Sequence, residues 1–442
     1  MDPLLLIGSI VVLAAVLTWI LPAGRFERTH DAASGRTMVV PGSFKNVPRN
    51  PIGPWGVLTS IPQGLTEAAA IVFYVFLAGA AIAVVEATGA IGNTLDHLMW
   101  RFGRRTVLIL ALASFLFLFG GSSYSMYEEC LAFIPLLCAL TRRLGLGNEV
   151  ALAVSVGTAS IGAAFSPFNT FLLGVSHPIA ELRVFSGFAF RMAVFVLAMA
   201  IWAGYLAWYA RRAAPQMEEP PTPGEVSHWK PRDIAVLVIL NGSLAGLVAG
   251  GIFLNWEVPQ FAAVMTLVGI AAGLAGGLGW RGTAEQFAEG FRRLALACLL
   301  IGFARAISVV LSNGLILDTI ANALFTPLQH LPLSASAVMM FVSESLLGFP
   351  MPSDSGRAMM SLPVMIPIAD LLGLSRQMVV SAFQYSSLVS NLITPTAGAL
   401  LAMLAMANVP FSKWLRFIAL PCALLFVLCV AAMVVGVRLG IQ

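Results

Sequence analysis

The sequence predicts an all-α polytopic membrane protein, an inverted repeat of about nine full spans with two re-entrant hairpins and two broken helices. Three observations carry that expectation. Hydrophobic residues make up 59% of the 442-residue chain and charged residues 10%, against roughly 25% charged in soluble domains. So much apolar surface does not fit one aqueous core, which makes the bilayer the solvent. Two polar patches containing proline, "SPFNT" at 166–170 and "SNLITPTAG" at 390–398, interrupt runs otherwise apolar enough to span. An offset of 228 residues pairs Pro167 with Pro395, and with it much of the first half of the chain with the second.

Runs of about twenty apolar residues, rising 1.5 Å each, cross the roughly 30 Å hydrocarbon layer. They lie near 4–22, 66–88, 148–174, 188–210, 233–254, 258–280, 289–311, 376–408 and 413–437. Only Asp2 and Pro3 precede the first run, which lacks the basic flank of a secretory leader and reads as a retained membrane helix. Residues 106–119 and 126–140, separated by "GGSSYS", are about fourteen long and too short to cross comfortably. Arg104 and Arg105 flank one outer end and Arg142 and Arg143 the other. Arginine clusters favour the cytoplasm, so the segment enters and leaves on that face as a re-entrant hairpin. Residues 334–349 and 356–370, separated by "PMPSDS", repeat the pattern. Arg211 and Arg212 with a polar linker at 213–232, then Arg292 and Arg293, then Lys413 and Arg416, mark further cytoplasmic loops. The N-terminus then falls inside and the C-terminus outside. The loop at 23–56 falls outside too, although its Arg25, Arg28, Arg36, Lys45 and Arg49 run against the charge rule. The net charge of +4 is spread over loops and argues for topology rather than nucleic-acid binding. Cys130, Cys138, Cys298, Cys422 and Cys429 lie in apolar runs without metal-ligand spacing and read as small hydrophobes.

The offset of 228 also pairs Pro135 with Pro363, Gly145 with Gly373 and Ser125 with Ser353. It divides the chain into a first repeat at 1–212, the linker at 213–232, a linking helix at 233–254 and a second repeat at 255–442. The first holds spans over 4–88, a hairpin at 106–140, a broken helix at 148–174 and a span at 188–210. The second holds spans over 258–311, a hairpin at 334–370, a broken helix at 376–408 and a span at 413–437. The linking helix inverts the second repeat relative to the first. Inverted repeats with broken helices meeting near the midplane mark secondary transporters, although a channel can share the symmetry.

Each proline removes a backbone donor and clashes with the preceding turn, so both helices unwind there. Unwound backbone at membrane depth is tolerated where it is buried in protein or lines a cavity. Ser166, Asn169 and Thr170 in one half, and Ser390, Asn391, Thr394 and Thr396 in the other, bring oxygens suited to a monovalent cation or a substrate. A serine-satisfied proline kink is the plainer reading of either patch alone. The hairpin tips, with Ser122, Ser123 and Ser125 in one and Ser353, Ser355 and Gly356 in the other, have the composition of an anion cradle at a helix N-terminus. The same residues make ordinary turns in water. Ionisable residues inside spans are costly and therefore informative. Arg305 has no acidic neighbour on its helix, and Arg357 follows the second tip. Glu128 and Glu129 follow the first tip, with Glu129 the symmetry mate of Arg357 and a candidate to bridge the hairpins. Asp354 is the best-placed carboxylate for a proton or sodium ion, and Glu86 and Glu344 stand behind it. His177 is expected at the outer surface.

Long motifs carry a family resemblance. "WILPAGRFER", "YEECLAFIPL", "IGFARAISVVLSNGLILDTI", "SDSGRAMMSLPVMIPIADLLGLSRQ" and "NLITPTAGALLAMLA" resemble the YfcC-type branch of the DcuC-like four-carbon dicarboxylate anaerobic carriers. That resemblance implies a dimerising scaffold and a transport domain of hairpins and broken helices moving as an elevator in a bacterial inner membrane. It places the family's tip motif on Ser353, Ser355 and Gly356, and its broken-helix motifs on Ser166, Pro167, Asn169, Thr170, Asn391, Thr394, Pro395 and Thr396. Two departures touch the site: "QYSSLVSN" replaces a glycine-rich acidic step, and Asp354 replaces a glycine of the tip. The function expected is transport of small carboxylates coupled to sodium or protons or by exchange, with an amino-acid carrier, basic substrates included, as the alternative. No cofactor is expected beyond sodium as a coupling ion. No protease, hydrolase or paired-aspartate motif supports an enzyme, and no filter-like motif supports a channel.

Overall fold

A computed structural model describes residues 3–31, 36–94, 97, 105–183, 186–213, 230–254, 256 and 258–441. The expected linker at 213–232 lies almost wholly outside the described residues, as does Arg104. Helices dominate: α1 Pro3–Ile20, α2 Pro54–Glu67, α3 Ala69–Ala87, α4 Thr106–Tyr124, α5 Ile134–Arg143, α6 Asn148–Phe165, α7 Leu172–Ile179, α8 Phe188–Ala213 and α9 Pro231–Phe253. The second half continues with α10 Val258–Ala275, α11 Gly279–Asn313, α12 Leu317–Phe325, α13 Leu333–Leu347, α14 Asp354–Leu372, α15 Arg376–Leu392, α16 Gly398–Met406 and α17 Phe411–Arg438. Two short antiparallel ribbons, Gly24–Arg25 on Lys45–Asn46 and Arg28–Asp31 on Arg36–Val39, fold the loop after α1.

Among the described residues seven helices are long and apolar enough to cross a membrane. Large apolar side chains such as Val12, Phe73, Phe115, Val196, Leu267 and Val427 face outward rather than into the core, as a lipid-facing surface requires. The chain is a multi-pass membrane protein. Because lipid supplies no hydrophobic drive between helices, close packing has to come from small residues. In the bundle of α2, α3, α10 and α11, a Cβ at Gly64 would stand 2.6 Å from the Gly302 carbonyl, and one at Gly290 would stand 2.5 Å from the Ala80 Cα.

Hydrogen bonds and ion pairs gather the helix ends into two sets. Asn148 donates to Ala407 O at 2.7 Å, and Lys413 pairs with Glu149 at 2.8 Å, so the segments carrying Arg143 and Arg416 gather at one end. Tyr209, next to Arg211 and Arg212, joins them through Glu149 at 3.2 Å. At the other end Thr319 donates to Pro22 O at 2.9 Å and Arg376 to Ala180 O at 3.2 Å.

The first hairpin departs from its expected outline. Its first arm, α4, runs 19 residues rather than about fourteen, because "GGSS" continues the helix instead of forming the tip. The reason is packing: a Cβ at Gly121 would fall on the Ala159 backbone, and one at Gly162 would stand 2.9 Å from Ser122 N. Glycine therefore marks a close helix crossing here rather than a turn. The chain reverses at Ser125, left-handed at φ 64°, then passes through a tight helical turn at Glu128–Phe133 into α5. The second hairpin turns where expected, between Leu347 and Asp354. In each half the first hairpin arm packs against the first segment of the broken helix, α4 on α6 and α13 on α15.

Gly64→Leu is expected to overpack the α2–α11 crossing by about 1–3 kcal/mol and lower the melting temperature of the detergent-solubilised protein. Gly204→Leu, where nothing lies within 4 Å of the new Cβ, should leave it unchanged.

Candidate functional site

Pro167 ends α6 for the reasons its missing donor and ring impose. Ser166 before it is extended, at φ −61° and ψ 132°, as the residue preceding proline prefers. The carbonyls left at the end of α6 are taken up by side chains from elsewhere in the fold. Gln384 on α15 donates through Nε2 to Ala163 O and Ser166 O, both at 2.8 Å. Arg191 on α8 donates to Ser166 O at 3.4 Å and to Gln384 Oε1. Its guanidinium is wholly buried at a helix C-terminus, the end that favours a cation. His177, expected at the surface, is instead buried with Nε2 3.2 Å from Arg191 Nη1, because its ring acceptor answers that guanidinium.

The polar residues of this break bond to the first hairpin. Asn169 Oδ1 accepts from Ser125 Oγ at 3.0 Å, and from the N–H groups of Phe171 and Leu172 at 3.0 and 2.7 Å, so it caps α7. Its Nδ2 donates to Gly121 O at 2.9 Å. Ser166 Oγ donates to Ser122 O at 2.6 Å, and Thr170 Oγ1 to Ser123 O at 2.9 Å. Ser122 and Ser123 turn their own hydroxyls to Phe119 O, at 3.3 and 2.6 Å. Residues read from sequence as ligands thus stitch break to tip.

The second break is closed the same way. Tyr127 Oη donates to Asn391 O at 2.8 Å, Trp414 Nε1 to Leu392 O at 2.9 Å and Thr394 Oγ1 to Val389 O at 3.1 Å. Thr396 Oγ1 donates to Phe349 O in the second tip at 2.6 Å. At both breaks, carbonyls expected to be open to a cation already have protein donors.

Charge collects where the tips meet. Ser353 caps α14, accepting from Gly356 N at 3.4 Å. Asp354, the first residue of α14, accepts from Arg357 Nη2 at 2.7 Å. Arg357 is buried, donates to Ser390 Oγ, stands 5.4 Å from the Phe383 ring centroid and lies 3.3 Å from the Glu344 carboxylate. The Asn391 side chain faces Asp354. Glu128 is close enough to Asp354 for the two carboxylates to repel, and Glu129 stands beside Glu128 while accepting from Tyr127 N at 3.1 Å. The chain's own acids thus face the helical turns an anion was expected to use. Asp354, Ser353, Ser355, Gly356, Ser125, Tyr127 and Glu128 all keep partial exposure along the seam between the tips.

One expectation changes. The ion pair of Arg357 lies within its own hairpin, not with Glu129, because Asp354 is one turn back and Glu344 sits on the antiparallel arm. Arg305, without an acidic neighbour on its own helix, finds one on another: it pairs with Glu67 of α2 at 3.0 Å, on a partly exposed face. Of the two carboxylates placed behind Asp354, Glu344 is wholly buried beside Arg357, while Glu86 is half-exposed, 4.0 Å from Arg293. Sequence reasoning also passed over Tyr127, Arg191, Gln384 and Trp414. Arg191 and Gln384, as polar residues within spans, carried the signal.

Comparison with known proteins agrees with the family suggested by the motifs. The model of the C4-dicarboxylate anaerobic carriers matches residues 2–438. A protein of Escherichia coli (strain K12) named "Putative basic amino acid antiporter YfcC" is 27% identical, across 99% of this chain and 96% of its own. An uncharacterised protein of Haemophilus influenzae (strain ATCC 51907 / DSM 11121 / KW20 / Rd) is 26% identical, across 93% and 91%. Among solved structures, the Alcanivorax borkumensis YdaH transporter aligns at 17% identity and TM-score 0.42, over 100% of this chain and 99% of that one. Neisseria gonorrhoeae MtrF, from a class described as antimetabolite efflux pumps, aligns at 17% and 0.43, over 99% and 95%.

Asn169→Ala removes a helix cap and strands Gly121 O. It is expected to cost about 2 kcal/mol, seen as a lower melting temperature in detergent. Ser355→Ala, whose hydroxyl takes no hydrogen bond among the described residues, should leave stability unchanged.

Proposed function

The chain belongs to the C4-dicarboxylate anaerobic carrier family, whose members are membrane transporters, and on that premise we propose that it is a secondary exchanger of basic amino acids. The observation that carries this reading is the charge at the tips. Asp354 and Glu344 share one guanidinium, Arg357, while Glu128 faces Asp354 and Glu129 stands beside Glu128. Arg305 adds no net charge, being paired with Glu67. Two like charges about 4 Å apart repel by about 4 kcal/mol at an effective dielectric of about 20, or roughly a thousandfold in affinity. A dianion entering beside Asp354 and Glu128 meets that repulsion; an ammonium or guanidinium meets attraction instead. The order of preference drawn from sequence, carboxylates first, is therefore reversed.

Small carboxylates remain the second reading, favoured by the family description; for them Asp354 has to be neutralised whenever substrate is bound. In either case the hairpins and broken helices are taken as the part that moves. The α2, α3, α10 and α11 bundle is taken as a dimerising scaffold, in a bacterial inner membrane with the basic end toward the cytoplasm.

Binding to purified protein separates the readings. L-arginine or L-lysine at about a hundred times its Kd should stabilise the fold by about 2.7 kcal/mol, and Asp354→Asn should weaken that binding more than about tenfold, the loss of one close charge pair. Stabilisation by succinate but not by arginine, kept or strengthened in Asp354→Asn, would hand the site to dicarboxylates.

A further inference from the structure

Glu344 enters the site only as a neighbour of Arg357, and its burial is complete: its side chain has no solvent exposure, and neither carboxylate oxygen has a hydrogen-bond partner among the described residues. Arg357 Nε stands 3.3 Å away without hydrogen-bonding geometry. The two Nη groups of Arg357 are committed elsewhere, to Ser390 and to Asp354. Ser361, the nearest hydroxyl, donates to Arg357 O at 2.8 Å and keeps its lone pairs free to accept. A bare carboxylate without hydrogen bonds is not stable at such a place; a buried charge has to be paired and solvated by the protein, or neutralised. With Arg357 positive and Asp354 negative, the trio they form with Glu344 is electrically balanced only if Glu344 carries a proton.

We propose that Glu344 is the proton carrier that couples transport, with Arg357 as the switch between it and the substrate. In the resting arrangement Arg357 holds Asp354, and Glu344 is protonated. When a cationic group binds Asp354, Arg357 is released to Glu344, whose proton leaves to bulk water past Asp354, the partly exposed member of the trio. One positive charge enters and one proton leaves, so the buried cluster stays neutral before and after. The swing is short because Arg357 already touches both carboxylates. The charged groups acting on Glu344 are Arg357 and Asp354, both from α14. The other elements packed on α13 bring titratable groups engaged elsewhere. Asp318 on α12 is paired with Arg28 at 2.7 Å, Tyr385 on α15 stacks its ring on Phe165 with its hydroxyl buried and without a hydrogen-bond partner among the described residues, His330 lies beside Gln329, and Cys422 and Cys429 on α17 are buried thiols.

The direction of proton movement rests on the basic-substrate reading; the identity of the carrier does not. Purified protein in weak buffer with a pH indicator is titrated with L-arginine and, separately, with succinate. Arginine should release a proton for each molecule bound, and in Glu344→Gln that release should vanish at saturating arginine. If succinate binds instead of arginine, basic-substrate exchange fails; and because Glu344 is already protonated at rest, proton uptake on succinate binding overturns the proposal as well. If Glu344→Gln leaves the proton count of either ligand at the wild-type value, the proposal is overturned. Should that variant not fold, the wild type decides: ligand binding that moves no proton anywhere between about pH 5 and about pH 8 overturns it equally.

Discussion

A helix broken inside a membrane has to find donors for the carbonyls it frees, and no water is at hand to supply them. Each carbonyl left bare costs several kcal/mol in such a medium. Here Gln384 and Arg191 serve the end of α6, and Tyr127, Trp414 and Thr394 serve the end of α15. The donors are exchanged between the halves: Gln384 lies on the second broken helix and caps the first, while Tyr127 lies in the first hairpin and caps the second. Phe165 stacks on Tyr385 at 5.2 Å where the two helices cross. Each break thus draws one of its donors from the other half, which couples the hairpins and broken helices.

That mutual capping leaves a crevice whose polar character is mainly acidic. Carboxylates in the first turn of a helix are stabilised by its dipole, and Glu128, Glu129 and Asp354 occupy such positions. Arg357 is the counterweight, anchored by Ser390 and by the face of Phe383. On the proposed reading, an acidic crevice next to a buried, protonated acid trades one cation for another at constant net charge. Each charge that forms there has an opposite partner, so no step pays the full desolvation penalty of an unpaired ion.

The fold class was legible because it follows from composition and span length, which need no tertiary information. The second hairpin was legible too, since Pro350 and Pro352 leave no helical alternative. The first was misjudged at "GGSS", where glycine's two uses, turning and close packing, look alike in sequence; only the crossing of α4 with α6 decides between them. The candidate residues were named correctly as a population but not by partner. Asn169, Ser166 and Thr170 bond the adjacent hairpin, and Arg357 bonds its own. Such pairing depends on where two helices cross, and the donors Gln384 and Arg191 sit on spans whose local sequence says nothing about what they meet.

The central claim is that the tips lie within the membrane and enclose the substrate. It is tested most directly by labelling a single cysteine at Ser355 with a membrane-impermeant thiol reagent, in vesicles of each orientation, with and without L-arginine. Slow labelling that depends on vesicle orientation and is suppressed by arginine is the predicted result. Fast labelling indifferent to ligand, as at an ordinary surface loop, would contradict the account.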